Sequence, residues 1–456
     1  MNKVIILGAG VSGLSLAWKL AESGRPVELI EAKDYIGGLA ATREIDGLKM
    51  DFGPHSVFSE EREILKTIFD LFGGDMPAGV RDVRLFMQGK YLRYPLNAED
   101  IVMKLGLAPS LKCFFSFIIE KMKPRPEYGP AGPNMEQWSR GQFGKALHEL
   151  FFKPYTEQFW DVKCSELSPD CIPTYKQMSF TKTLKLLLTP KRKRENYSII
   201  DREVLPLYYP HEGFGAIPER IADKVIELGG KIHTGLKVEE VRTLSNGSYV
   251  VSAVDKEGDK REFEGDEVVS TIPIPLFAKA LNPAPPKDVL MAAERLQYLS
   301  LLVLYLTVDR PHILDCMYEY SLEKPYTRIT DVGNFTLVPE DERKNNSISI
   351  EQSCHAGDGL WRATKEELFK KYIPHLEMEN IIKESEVTGI HLLKASHAYP
   401  MYLYDYKKDF VNFTEYCNSI GTLSLCGRTG NFRYMDIDQC MKLSFLLADK
   451  MLKKTD

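Results

Sequence analysis

The chain has 456 residues, 44% hydrophobic and 27% charged, which is enough apolar side chain to bury more than one core and to form two or three domains. Its formal charge of -5, from 59 basic and 64 acidic residues, excludes a global pull towards nucleic acid. Its eight cysteines form no C-x-x-C pair and no metal-ligand spacing, so no metal is expected and they read as reduced thiols of a cytoplasmic protein.

Met1-Asn2-Lys3 runs straight into the apolar strand Val4-Ile5-Ile6-Leu7, leaving no room for a cleaved signal peptide. The turn Gly8-Ala9-Gly10-Val11-Ser12-Gly13 follows, then an amphipathic helix to Leu20, then a second strand, Val27-Glu28-Leu29-Ile30, that ends at Glu31. This order is the one a dinucleotide site requires. Gly8 permits the tight turn, Gly10 admits the pyrophosphate, Gly13 lets helix and strand approach, and the helix N-terminus favours the phosphates. Glu31 stands where a ribose hydroxyl would donate.

A second glycine pair, Gly37-Gly38, comes after the acid, and Leu85 to Tyr91 carries a short hairpin signal. From about Ala98 to Lys191 the pattern is helical, broken at Pro124 and Pro126. Its most apolar run, Cys113 to Ile119, is far shorter than the ~20 residues of a spanning helix, so no integral membrane segment is expected. Lys191-Arg192-Lys193-Arg194 reads as a solvated loop, with contact to a membrane surface or a polyanion as the alternative. Glycine-rich features return at Gly213-Phe214-Gly215, followed by a helix to Leu228, strands near Ile232, Val238 and Val250, and the strand Glu267 to Pro273. A β-rich stretch follows Pro283-Ala284-Pro285-Pro286, with alternation at Ser300 to Val308 and Ser347 to Gln352. Tyr399 to Tyr406 is an aromatic stripe that suits a substrate channel or a core edge. The chain ends in a strand, a glycine turn at Gly427 and an apolar helix to Met451, with Asp436 and Asp438 suited to capping. That helix N-terminus would favour negative charge on a ligand in front of it.

Asp34-Tyr35-Ile36-Gly37-Gly38-Leu39-Ala40-Ala41-Thr42-Arg43, with Met50-Asp51-Phe52-Gly53-Pro54-His55, resembles the FAD-dependent amine oxidase superfamily, which includes protoporphyrinogen oxidases, phytoene desaturases and UDP-galactopyranose mutases. The resemblance implies an α/β fold in which a Rossmann-type FAD-binding domain is interrupted by a helical insertion and an antiparallel-sheet substrate domain. Residues 1–95, 206–285 and 391–456 would form the FAD part, 96–205 the insertion and 286–390 the β-rich part. It also implies that FAD lies along Gly8, Gly10, Ser12, Gly13, Glu31, Gly37, Gly38, Thr42 and Arg43, with Val238 at the adenine.

Gly427-Arg428-Thr429-Gly430-Asn431-Phe432-Arg433-Tyr434-Met435-Asp436-Ile437-Asp438 and Pro325-Tyr326-Thr327-Arg328-Ile329 are similar to stretches of the mutases, as is Gly53-Pro54-His55. On that likeness Arg428, with Gly427, Asp436, Ile437 and Asp438, serves FAD. Arg328 and Tyr434 reach a substrate diphosphate, His55 lies near the isoalloxazine and Asp436 supports the site. Where mutases carry a loop arginine the chain offers Lys176, and Gly89 to Leu96 is closer to the protoporphyrinogen-oxidase-like proteins. Two chemistries follow. Reduced FAD can isomerise a nucleotide sugar for surface polysaccharide synthesis, or oxidised FAD can take a hydride, as in protoporphyrinogen and amine oxidases. The implied partners are a small anionic substrate, a nucleotide sugar in the first case, and an external reductant such as NAD(P)H. A homo-oligomer in the cytoplasm, at a membrane surface or free of it, is compatible with both.

Overall fold

The computed structural model describes residues 2–96, 98–124, 127–172, 206–343 and 346–453. Lys176 and the Lys191 to Arg194 run lie outside the described residues. Five parallel strands form the first sheet, in the order Leu423–Leu425, Glu267–Ser270, Val4–Leu7, Val27–Ile30, Lys231–His233. Three distant pieces of chain therefore meet in one sheet. Val4 to Leu7 is apolar throughout because both faces of this central strand are covered. Val4 and Ile6 pack on the helices Val11–Glu22, Ala216–Glu227 and Ile437–Lys453, while Ile5 and Leu7 face Val241, Tyr249 and Val251 of a four-stranded second sheet.

The other large layer is a seven-stranded sheet ordered Val387–Pro400, Tyr298–Val308, Asn346–Cys354, Arg328–Asp331, Tyr318–Ser321, Val83–Met87, Lys90–Arg93. Its strand Tyr298–Val308 is buried along all 11 residues. The hairpin expected at Leu85 to Tyr91 exists, but it joins this sheet and not the five-stranded first sheet, its first strand pairing parallel with Tyr318–Ser321. Val83, Leu85 and Met87 are its buried face, packed into the hydrophobic cores on that side of the sheet. Strand Val387–Pro400 likewise runs across the expected boundary at residue 390.

The insertion is helical, with helices Leu107–Met122, Met135–Phe143 and Lys153–Trp160. A capping box starts the second of these: Asn134 Oδ1 accepts from the Gln137 N–H at 2.9 Å, and Gln137 Oε1 accepts from the Asn134 N–H at 3.0 Å. Leu107, Leu111, Phe115 and Ile119 of the first helix are exposed. Among the described residues no helix is long and apolar enough to cross a membrane. All eight cysteines are buried and none is in a disulfide.

Candidate active site

A cavity of about 1330 Å³ runs from the Gly8 to Ser12 turn, past Glu31 and Val238, to Tyr155 of the insertion and to Tyr320 and Arg328 of the large sheet. It exceeds the roughly 300 to 1,000 Å³ of pockets for one small molecule, so it has room for a cofactor and a substrate together.

The glycines of the first turn have different duties. A Cβ on Gly13 would sit 2.1 Å from the Gly8 carbonyl oxygen, so Gly13 allows helix and strand to touch. A Cβ on Gly10 would meet no protein atom nearer than the Gly37 carbonyl oxygen, at 4.0 Å; it would enter the cavity. Helix Val11–Glu22 begins there with no side-chain cap and no acid in its first turn. Its first N–H groups and its positive dipole end therefore suit an anionic ligand. The second glycine pair closes on the first, the Gly37 N–H donating to the Ala9 carbonyl at 2.8 Å. Glu31 is aimed by two backbone donors, the Ala9 N–H on Oε2 and the Lys33 N–H on Oε1, both at 2.9 Å. A carboxylate retains further lone pairs, and Glu31 lines the cavity with Val238.

Gly8, Ser12, Gly37, Gly38, Gly427, Arg428, Asp436 and Ile437 also line the cavity, while Gly13, Thr42, Arg43 and Asp438 do not. The Thr42 hydroxyl donates to Asp51 and accepts from the Gly215 N–H at 2.7 Å, so its hydrogen bonds are used within the protein. Arg43 lies 4.0 Å over the Tyr35 ring, one layer behind the wall. Asp438 is buried and accepts from the Ser59 hydroxyl at 2.6 Å. These three shape the site from behind, and direct contact with a ligand in the cavity falls to their neighbours.

The expected reaction residues converge at the far end. Arg328 donates from Nε to Glu351 at 2.6 Å, from Nη2 to the other oxygen of that carboxylate, and from Nη1 to the Tyr320 hydroxyl at 3.1 Å. Arg428 lies against the rings of Tyr399 and Tyr434, at 4.9 and 4.3 Å, and donates to the Ala398 carbonyl at 2.7 Å. Its Nε is buried without a protein partner. The Tyr399 and Tyr434 rings are parallel, 6.1 Å apart, and the Tyr434 N–H donates to the Tyr402 hydroxyl at 2.6 Å. Asp436, beside Tyr434, pushes that phenol upwards. Glu351, Tyr318 and Tyr320 were not picked out from the sequence. An acid inside the otherwise Ser- and Ile-rich strand Asn346–Cys354 was the available signal, since a buried carboxylate needs a cation.

His55 stacks on Phe214 at 5.3 Å, and its Nδ1 has no protein partner. Burial, then the Arg428 and Arg328 guanidiniums, push its pKa from 6.5 down to about 3. The folded protein thus refuses a proton that the unfolded chain accepts. Stability is lost as pH falls from 6.5 towards about 3, by up to about 1.4 kcal/mol per pH unit. Asp51 has the opposite sign, because burial raises it from 3.8 to about 6, and its contribution fades as pH rises through that window. His55→Gln should accordingly flatten the fall in Tm below pH 6.5. Melting curves of the two proteins that drop in parallel would contradict a neutral buried imidazole.

The family model for flavin containing amine oxidoreductases matches residues 11–391. The chain belongs to this family. FAD is therefore its cofactor, and the cavity fits it: the uncapped helix, the open face of Gly10 and the orphaned Arg428 Nε are groups that a bound dinucleotide would complete. Among curated relatives, the protein named "Probable UDP-galactopyranose mutase" of Klebsiella pneumoniae is 30% identical over 174 residues, covering 36% of this chain and 43% of its own. The lycopene-forming phytoene desaturase of Pseudescherichia vulneris is 25% identical over 340 residues, 68% of this chain and 64% of its own. Both alignments span less than two thirds of the relative. The solved structure of a reduced UDP-galactopyranose mutase superposes with a TM-score of 0.78 over 100% of this chain and 94% of that one, at 18% identity, a likeness of fold. Bound in the cavity, FAD would supply the hydride- and electron-transfer chemistry of a flavin. Around it this chain supplies anion-binding N–H groups, a neutral imidazole and two guanidiniums.

Proposed function

We propose that this flavoenzyme is a redox-neutral isomerase of a nucleotide sugar, working with reduced FAD in the manner of the galactopyranose mutases and serving surface polysaccharide synthesis. The observation that carries the reading is the meeting of Arg328, Arg428 and Tyr434 with His55 at one end of the cavity. Arg328 would hold the substrate diphosphate, for which a planar fork of donors is suited. Tyr434 would donate to the same group, its proton kept on by the neighbouring Asp436 carboxylate. His55, held neutral, offers a hydrogen bond without adding charge beside the two arginines. Asp436 directly precedes the helix Ile437–Lys453, whose N-terminal dipole would favour the anionic, reduced cofactor. The protein and its cofactor return to their starting state after each turnover, so an external reductant such as NAD(P)H is needed only for priming.

The second reading is net oxidation of a flat or apolar substrate. The aromatic wall formed by Tyr155, Phe159, Trp160 and Tyr399 supports it. The experiment that separates them is a panel of nucleotide sugars offered to dithionite-reduced and to oxidised enzyme, with products resolved by chromatography. Isomerised sugar from the reduced form alone supports the mutase-like reading; conversion by neither form, with flavin reduction by a non-nucleotide substrate, promotes the second.

A further inference from the structure

Arg81 enters the same cavity from the loop before strand Val83–Met87. Its Nη2 donates to the Tyr318 hydroxyl at 2.9 Å, and its guanidinium carbon lies 6.0 Å from the centre of that ring. Arg328 approaches the same ring to 5.4 Å. Two guanidiniums thus flank one phenol, but their charges are not equally balanced. Arg328 shares a fork with Glu351, whereas no carboxylate among the described residues forms an ion pair with Arg81. Its surroundings are phenols: Tyr94 and Tyr155 share a hydrogen bond at 3.1 Å, and the Tyr94 ring lies 4.6 Å from that of Tyr320. A tyrosine hydroxyl carries no charge at neutral pH, so these rings supply no counter-charge. A partly buried cation without an anion is costly, and a cavity wall is where a ligand can balance it.

We propose that Arg81 is a second guanidinium for the substrate, acting with Arg328 on a nucleoside diphosphate. This rests on the nucleotide-sugar reading and adds to it a residue that the sequence pattern did not single out. The diphosphate would bring the charge that Glu351 leaves unbalanced, and its oxygens match the donor forks of both arginines.

The test is calorimetric titration of FAD-loaded enzyme with UDP and, separately, with uridine. Arg81→Ala should weaken UDP about tenfold or more while leaving uridine affinity unchanged, with a shallower dependence of UDP affinity on salt. Arg81→Gln, which keeps a donor for Tyr318 but no charge, should show the same selective loss and serves if the alanine variant does not fold. If both Arg81 variants bind UDP as the wild type does, while Arg328→Lys binds it more weakly, Arg81 merely pins Tyr318 and the proposal fails with the nucleotide-sugar reading intact. If the wild type itself does not bind UDP, that reading falls and the assignment of Arg81 falls with it.

Discussion

Gly10→Val should fold and purify colourless. The packing around Gly10 leaves a Cβ free of protein clashes, so the two added methyl groups have cavity space to occupy and the fold bears little strain. That space adjoins the uncapped first turn of helix Val11–Glu22, where the cofactor's diphosphate would be held. Gly13→Val provides the contrast, because its Cβ would lie 2.1 Å from a backbone oxygen and the strand and helix would have to separate. The expected pattern is near-normal Tm without flavin absorbance for the first variant and loss of folded protein for the second. Full flavin occupancy in Gly10→Val would contradict the placement of the cofactor.

Arg328→Ala should be destabilised by about 3 to 5 kcal/mol, because it strands Glu351, whose side chain is 2% exposed. Loss of substrate affinity in that variant would therefore be mixed with loss of fold. Arg328→Ala combined with Glu351→Gln should recover much of the stability, since the stranded charge is gone, yet still bind UDP at least about tenfold more weakly than the wild type. Equal stability of Arg328→Ala and wild type, by denaturant titration, would show that the fork with Glu351 is not a buried ion pair. Recovery of UDP affinity in the double variant would remove Arg328 from the substrate site.

The cofactor half was legible because its signals are local. Strand, glycine turn, helix, strand and acid follow one another within the first 31 residues, and that spacing is matched by the parallel pairing of the two strands and the close approach of Gly13 to Gly8. The substrate half depends on pairings between distant segments. Glu351 and Arg328 face each other across two strands, and the hairpin Val83 to Arg93 finds its partner at Tyr318–Ser321, which periodicity in either segment does not reveal. Arg81 belongs to the same class, since its neighbour Tyr318 is distant in sequence. Thr42 shows the reverse limit. Its place beside the glycine pair suggested a cofactor contact, but the buried carboxyl of Asp51 and the Gly215 N–H have first claim on its hydroxyl.

On the nucleotide-sugar proposal, the cofactor works reduced and ends each cycle reduced. The most direct measurement is anaerobic absorbance of the flavin while dithionite-reduced enzyme converts UDP-galactopyranose. Many turnovers of isomerised product are expected, with the flavin reduced throughout and no net consumption of electrons. Stoichiometric bleaching of oxidised flavin by a substrate, with oxygen restoring the colour on every cycle, would contradict it and establish net oxidation as the reaction.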